Sequence, residues 1–128
     1  MSRKTVTSQN APKAIGPYAH AVWAGDLLYC SGQTPIDPAS GNLVAGGITE
    51  QTQQAFNNLE TVLSSAGLTM EDVIKVNVYL TSMANFAGMN QVYQQRFSAP
   101  YPARTTVAVA DLPLQALVEI EWIARKSQ

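Results

Sequence analysis

The feature that most constrains this chain is a change of hydrophobic period at a glycine. In residues 48–66, Ile48, Thr52, Ala55, Phe56, Leu59, Val62, Leu63 and Ala66 recur at helical spacing. Gly67 supplies a stop, and "VIKVNVYLT" (73–81) then alternates Val or Ile with polar residues, the period of a strand. The switch repeats downstream. Residues 84–98 set Phe86, Met89, Asn90, Tyr93 and Phe97 on one helical stripe, and two strand-like runs follow, 105–110 and 118–125, around a Pro-containing loop. Upstream, "AVWAGDLLYCSG" (21–32) places Gly25-Asp26 between two apolar runs and predicts a tight hairpin. "TPIDPASGN" (34–42) reads as a loop. The predicted order is a β-hairpin, then β-α-β-α-β-β, in one α+β domain spanning residues 1–128. Two helices on one face of such a sheet leave its other face for water or another chain.

Strand parity refines this expectation. In the run that begins at Arg104, Thr105, Val107 and Val109 point one way; Arg104, Thr106, Ala108 and Ala110 point the other. In the final run Val118, Ile120 and Trp122 oppose Glu119, Glu121 and Ile123. The apolar sets are assigned to the helix-covered face and the small and charged sets to the open one. Ala108 and Ala110 there suit the close approach of a second sheet, which predicts a homo-oligomer packed sheet-inward.

Charge and cysteine usage narrow the function classes. Eight basic and nine acidic residues give a net charge of −1, and no basic cluster exceeds Arg125-Lys126. A phosphate-tracking nucleic-acid surface is not expected. One cysteine, Cys30, rules out an intrachain disulfide and suits a reducing compartment, and one histidine, His20, gives no imidazole cluster for a metal. The N-terminus has no apolar core of a secretory signal, and the longest uncharged stretch, 76–95, is too polar to span a membrane. The expectation is a soluble cytoplasmic domain with no membrane partner.

Several residues suggest chemistry. Arg104 reads either as a strand-end surface charge or as a carboxylate anchor, since a guanidinium grips a carboxylate through two parallel bonds. Glu119 reads either as a solvated strand residue or, in a cleft, as a general base for water; Glu121 reads as solvated. Cys30, mid-strand beside Leu28, is expected to be buried and inert. His20 is expected at a surface or interface. Ser31-Gly32 is either a turn or a place where a ligand approaches backbone. Tyr18, after Gly16-Pro17, either packs or closes a pocket. A final strand antiparallel to the Arg strand would put Glu119 beyond Ala110, roughly 20 Å from Arg104. A site using both would then be shared between subunits.

Taken together, "AIGPYAHAV" (14–22), "LLYCSGQTPIDPASGNLV" (27–44), residues 48–97, "PARTTVAVADLP" (102–113) and "VEIEWIA" (118–124) resemble the RidA/YjgF family of imine deaminases. The resemblance implies a fold similar to trimeric chorismate mutases: a mixed six-stranded sheet backed by two helices, three copies packed into a barrel-like homotrimer with clefts between subunits. It implies hydrolysis of 2-enamino and 2-imino acids, released by pyridoxal-phosphate dehydratases, to 2-keto acids and ammonia, with no metal or other cofactor and no nucleic acid. An alternative is a non-catalytic regulatory trimer that binds 2-keto acids in the same cleft. An RNA-cleaving role has also been attached to the family; one histidine and near-neutral charge argue against it here. By the resemblance, Arg104 binds the substrate carboxylate and Glu119 holds the attacking water. Tyr18, Ser31, Gly32 and Asn90 line the pocket, and Thr106 contributes its backbone at the imine end. Many members have Cys where this chain has Thr106.

Overall fold

The structure is a computed structural model that describes residues 2–126. The predicted hairpin forms as β2 (Ala21–Ala24) and β3 (Leu27–Gln33), turned by Gly25 at φ 60°. The helical period of residues 48–66 becomes α1 (Ile48–Ser65). Glu50 Oε1 accepts from the N–H of Gly47 at 2.8 Å, satisfying one of the donors orphaned at the helix start. At the other end Gly67 adopts φ 77°, the left-handed conformation that ends many helices. β4 (Val73–Leu80) follows, then α2 (Phe86–Arg96), β5 (Ala103–Ala108) and β6 (Val118–Arg125).

The sixth strand lies elsewhere than expected. No strand stands between the hairpin and α1; that loop closes on itself through an isolated bridge, Ile36 to Leu43. Instead β1 (Lys4–Val6) pairs antiparallel with β2 at the sheet's edge. A three-residue strand carries too little alternation for a period to show.

The sheet is mixed, in the order β1-β2-β3-β6-β4-β5. β6 runs antiparallel to both β3 and β4, whereas β4 and β5 run parallel across the α2 crossover. Val118, Ile120, Trp122 and Ala124 of β6 and Val76, Val78 and Leu80 of β4 are buried against Ala55, Phe56, Leu59, Val62 and Leu63 of α1 and Met89, Val92 and Tyr93 of α2. Burying one face of a sheet under two helices is the stable way to shelter its apolar stripe. The opposite face carries Tyr29, Lys75, Asn77, Tyr79, Thr105, Val107, Glu119, Glu121 and Ile123.

This register overturns the expected parity of the Arg strand. Arg104 pairs with Val76, Thr106 with Val78 and Ala108 with Leu80, all on the helix side; Thr105 and Val107 share the open side with Asn77 and Tyr79. β5 is an edge strand over which the helices only partly extend. Its helix-side positions therefore need not be apolar, and Val107 is left 42 % exposed on the open face. Ala108 lies on the helix side and Ala110 lies beyond the end of β5, so the expectation of an oligomer loses the support of a small-residue open face. β6 behaves as predicted, with its glutamates on the open face.

Candidate active site

Arg104 is built into place by α2. Phe86, Asn90 and Tyr93 occupy successive turns of one helix face, at the i, i+4 and i+7 positions. The guanidinium carbon lies 4.5 Å from the Tyr93 ring centroid and 5.6 Å from that of Phe86, and Nη1 donates to Asn90 Oδ1 at 2.7 Å. Aromatic faces attract the cation, and the amide oxygen fixes its rotation. Among the described residues no carboxylate pairs with it. One Nη1 donor is spent on Asn90, and the rest of the planar fork is left for a ligand. Asn90, Tyr93, Gln94, Tyr101, Pro102 and Arg104 line a hollow of about 390 Å³. Thr106 follows two residues later on the same strand face; its hydroxyl is buried and bonds to nothing among the described residues, as does that of Tyr93.

Glu119 belongs to a second hollow, of about 490 Å³, which it lines together with Tyr18, Ser31, Gly32, Ile15 and Leu114. The β3–β6 register slips here: Cys30 pairs with Trp122 but Gln33 pairs with Ile120, so one extra residue bulges around Ser31-Gly32. Bulges bend a strand and re-aim its side chains. The Glu119 pose depends on glycine at position 32, because a Cβ there would overlap the carboxylate. Ser31 donates its N–H to His20 O at 2.9 Å and its hydroxyl to Ala19 O at 2.6 Å. Those bonds tie the segment bearing Tyr18 to β3. Across the hollow, Leu114 and Gln115 hold φ of 59° and 60°, a left-handed backbone rare for residues with a Cβ. Such strain is characteristic of functional loops.

The electrostatics of the open face are acidic. Glu119 is half-buried, and its carboxyl is pushed above the usual range by burial first and then by the charge of Glu121. Glu121 is not simply solvated: Tyr79 Oη donates to it at 3.1 Å and Asn77 Nδ2 at 3.3 Å. The phenol of Tyr79 is held above its ordinary value by burial and then by that neighbouring anion.

One chain therefore places the candidates in two groups. Arg104 and Asn90 share one hollow with Thr106 nearby, while Tyr18, Ser31, Gly32 and Glu119 share another. β4 lies between β5 and β6, and the two key side chains leave the sheet on opposite faces. Arg104 is level with Val76 and Glu119 with Tyr79, three residues along β4. That is about 10 Å along the strand and about 10 Å across two strand spacings, less than the expected ~20 Å. It is the opposed faces, more than the distance, that keep them apart.

Cys30 is buried and its thiol is pushed up to about 12 by burial, as befits an inert core residue. His20 departs from expectation. It is only 4 % exposed, with Nδ1 accepting from the N–H of Ser8 at 3.0 Å and Nε2 facing Pro12 O at 2.8 Å. Its role is to staple the N-terminal segment to the start of β2. Sequence reading placed Phe86 and Tyr93 on a core stripe without assigning them to Arg104, and it overlooked Asn77 and Tyr79. The polar alternation of β4 was the available signal for the latter pair.

The chain is similar to known proteins over nearly its whole length. The Endoribonuclease L-PSP family model matches residues 8–126. A RutC family protein of Pyrococcus horikoshii is 48% identical over 124 residues, covering 97% of this chain and 98% of its own. A Bos taurus protein named 2-iminobutanoate/2-iminopropanoate deaminase is 44% identical over 122 residues, covering 95% of this chain and 89% of its own. The crystal structure of RidA from an Antarctic Psychrobacter superposes with a TM-score of 0.92 at 41% identity, covering 96% of this chain and 99% of that one. With a family match that runs nearly end to end and a fold that superposes over nearly the whole chain, the chain belongs to the Endoribonuclease L-PSP family, also called YjgF/RidA.

Proposed function

We propose that the protein hydrolyses 2-imino and 2-enamino acids to 2-keto acids and ammonia, in clefts completed between the subunits of a homotrimer. The observation that carries this reading is Arg104: a guanidinium clamped by an amide oxygen and two aromatic faces, with no carboxylate partner among the described residues. Such a group is built to receive a carboxylate from outside. The names of the bovine and Psychrobacter relatives point the same way.

In the proposed reaction the substrate carboxylate docks on Arg104, which fixes the adjacent C=N carbon. An enamine first takes a proton on its β-carbon. The protonated imine is already electrophilic, so orientation and one activated water supply most of the catalysis. Glu119 of a neighbouring copy removes a proton from water as its oxygen bonds to the imine carbon. The same proton is then available to the departing nitrogen, and ammonia leaves as the C=O bond forms. The overall change is iminium plus water to keto acid plus ammonium.

The opposed faces of Arg104 and Glu119 support a shared site: edge strand β5 of one copy reaches the open sheet face of the next. His20 offers no free imidazole for RNA cleavage, since both ring nitrogens are engaged. The test is to generate 2-iminopropanoate in situ and follow ammonia and pyruvate. Accelerated release supports the reading. Tight pyruvate binding without turnover would replace it with a keto-acid-binding regulatory trimer.

A further inference from the structure

Glu119 and Glu121 project from the same face of β6, separated by Ile120, whose side chain is fully buried on the other face. Two residues of strand put their backbone origins about 7 Å apart. The two carboxylates are held differently. Glu121 receives a bond on each oxygen, from Tyr79 Oη and from Asn77 Nδ2, which fixes its position. Glu119 has no hydrogen-bond donor among the described residues and lies half-buried against Gly32.

We propose that Glu121 is a positioning residue for the proton of Glu119: clamped by Tyr79 and Asn77, it presents a fixed negative charge from the same sheet face and makes Glu119 a stronger base than a lone strand glutamate. This deepens the proposed function and rests on it for the catalytic consequence, but the electrostatic coupling stands apart from any turnover. A like charge at this range disfavours a second anion. The direction found for Glu119, raised by burial and then by Glu121, agrees.

The other ionisable groups nearby do not supply this effect. On β4, Lys75 is hydrogen-bonded to Thr105 at 2.7 Å, and Tyr79 is the donor to Glu121. On β3, Tyr29 stands opposite Ile123, further along the sheet. On the facing loop, Lys13 and Tyr18 line the Glu119 hollow, and a cation there opposes the effect of Glu121. Tyr79 loses its anionic partner when Glu121 is neutralised but remains an uncharged phenol, and the other groups are untouched, so the comparison of variants isolates the charge of Glu121.

The experiment uses the full-length protein and has two arms. In the first, carbon-13 NMR follows the side-chain carboxyl carbons through a pH titration, with Glu119 assigned from the Glu119→Gln variant. Glu121→Gln is expected to lower the Glu119 midpoint by on the order of one pH unit. Tyr79→Phe keeps the ring and drops the donor, and is expected to move the midpoint the same way by less. In the second arm, the acid limb of the kcat profile for 2-iminopropanoate moves down with Glu121→Gln, while KM stays close to that of the parent. Coincident Glu119 titration curves in the parent, Glu121→Gln and Tyr79→Phe overturn the inference. A shifted midpoint without imine turnover in any variant leaves the coupling standing and overturns the function instead.

Discussion

In the proposed reaction Arg104 and Glu119 divide the work between them, and their variants should separate accordingly. Arg104→Ala should nearly abolish both imine hydrolysis and 2-keto acid binding, and calorimetric titration with pyruvate checks the second. Arg104→Lys should fail almost as badly, because an ammonium cannot reproduce a fork fixed by Asn90 and stacked on Tyr93. Glu119→Gln should lose ~10²–10⁴-fold in turnover with pyruvate affinity kept, as expected for a positioned acid–base group. It should also stabilise the fold at neutral pH. The native state holds the Glu119 proton more tightly than the unfolded chain does. The resulting penalty is therefore absent below the ordinary carboxylate range and grows as pH rises through the elevated value. A thermal melt of Glu119→Gln no higher than that of the parent at pH 7 would contradict this. His20→Ala strands the N–H of Ser8 and the carbonyl of Pro12 and should cost about 1–3 kcal/mol, while His20→Gln retains a donor and an acceptor and should recover much of it.

At the scale of elements, the site depends on two departures from regular structure. The β3 bulge brings Gly32 against Glu119, and Leu114, in its left-handed backbone, lines the same hollow. Gly32→Ala places a methyl group where the carboxylate lies. The obstructing atoms are the far end of a flexible side chain, so Glu119 should swing away and the fold should survive. Turnover should fall about as far as in Glu119→Gln, with an unchanged circular dichroism spectrum; parental activity in Gly32→Ala would show that Glu119 is not used in this pose. In α2 the Tyr93 ring supports Arg104 and packs edge-on against Phe56, but its hydroxyl is buried without a partner among the described residues. Tyr93→Phe should therefore keep activity and hold or raise the melting temperature, since removing an unsatisfied buried hydroxyl relieves its desolvation cost.

The whole molecule leaves one sheet face uncovered, with Tyr29 at 48 % and Val107 at 42 % exposure beside Ile123 and the two glutamates. The proposed trimer buries this face, and light scattering should report three copies. Ile123→Glu, which adds a charge where the sheets would meet, should shift the population toward monomer through the cost of burying it. The shared cleft has a sharper test. Inactive Arg104→Ala and Glu119→Gln subunits, unfolded together and refolded, should regain part of the activity, because some clefts then draw an intact Arg104 from one chain and an intact Glu119 from the next. No recovery after confirmed subunit exchange would place the two residues in separate functions.

Much of this protein could be read from local pattern. The period of residues 48–66, the stop at Gly67, the Gly25-Asp26 turn and the alternation of β6 each rest on contacts between near neighbours in sequence, or on one deeply buried face. Glu119 and Glu121 accordingly stood on the side that parity assigned them. The placement of Arg104 did not follow in the same way. β5 joins the sheet through a parallel crossover and takes its neighbour, β4, from far back in the chain. As an edge strand only partly roofed by α2, it has polar and small residues on its helix side and Val107 on the open side, so its composition points to the wrong face. Only the tertiary structure could put β4 between β5 and β6, turn Arg104 toward Asn90 and Tyr93, and set it on the opposite side of the sheet from Glu119. The physical reason is that strand pairing across distant segments fixes register and face together, and an edge strand buries too little surface for its own sequence to record the choice.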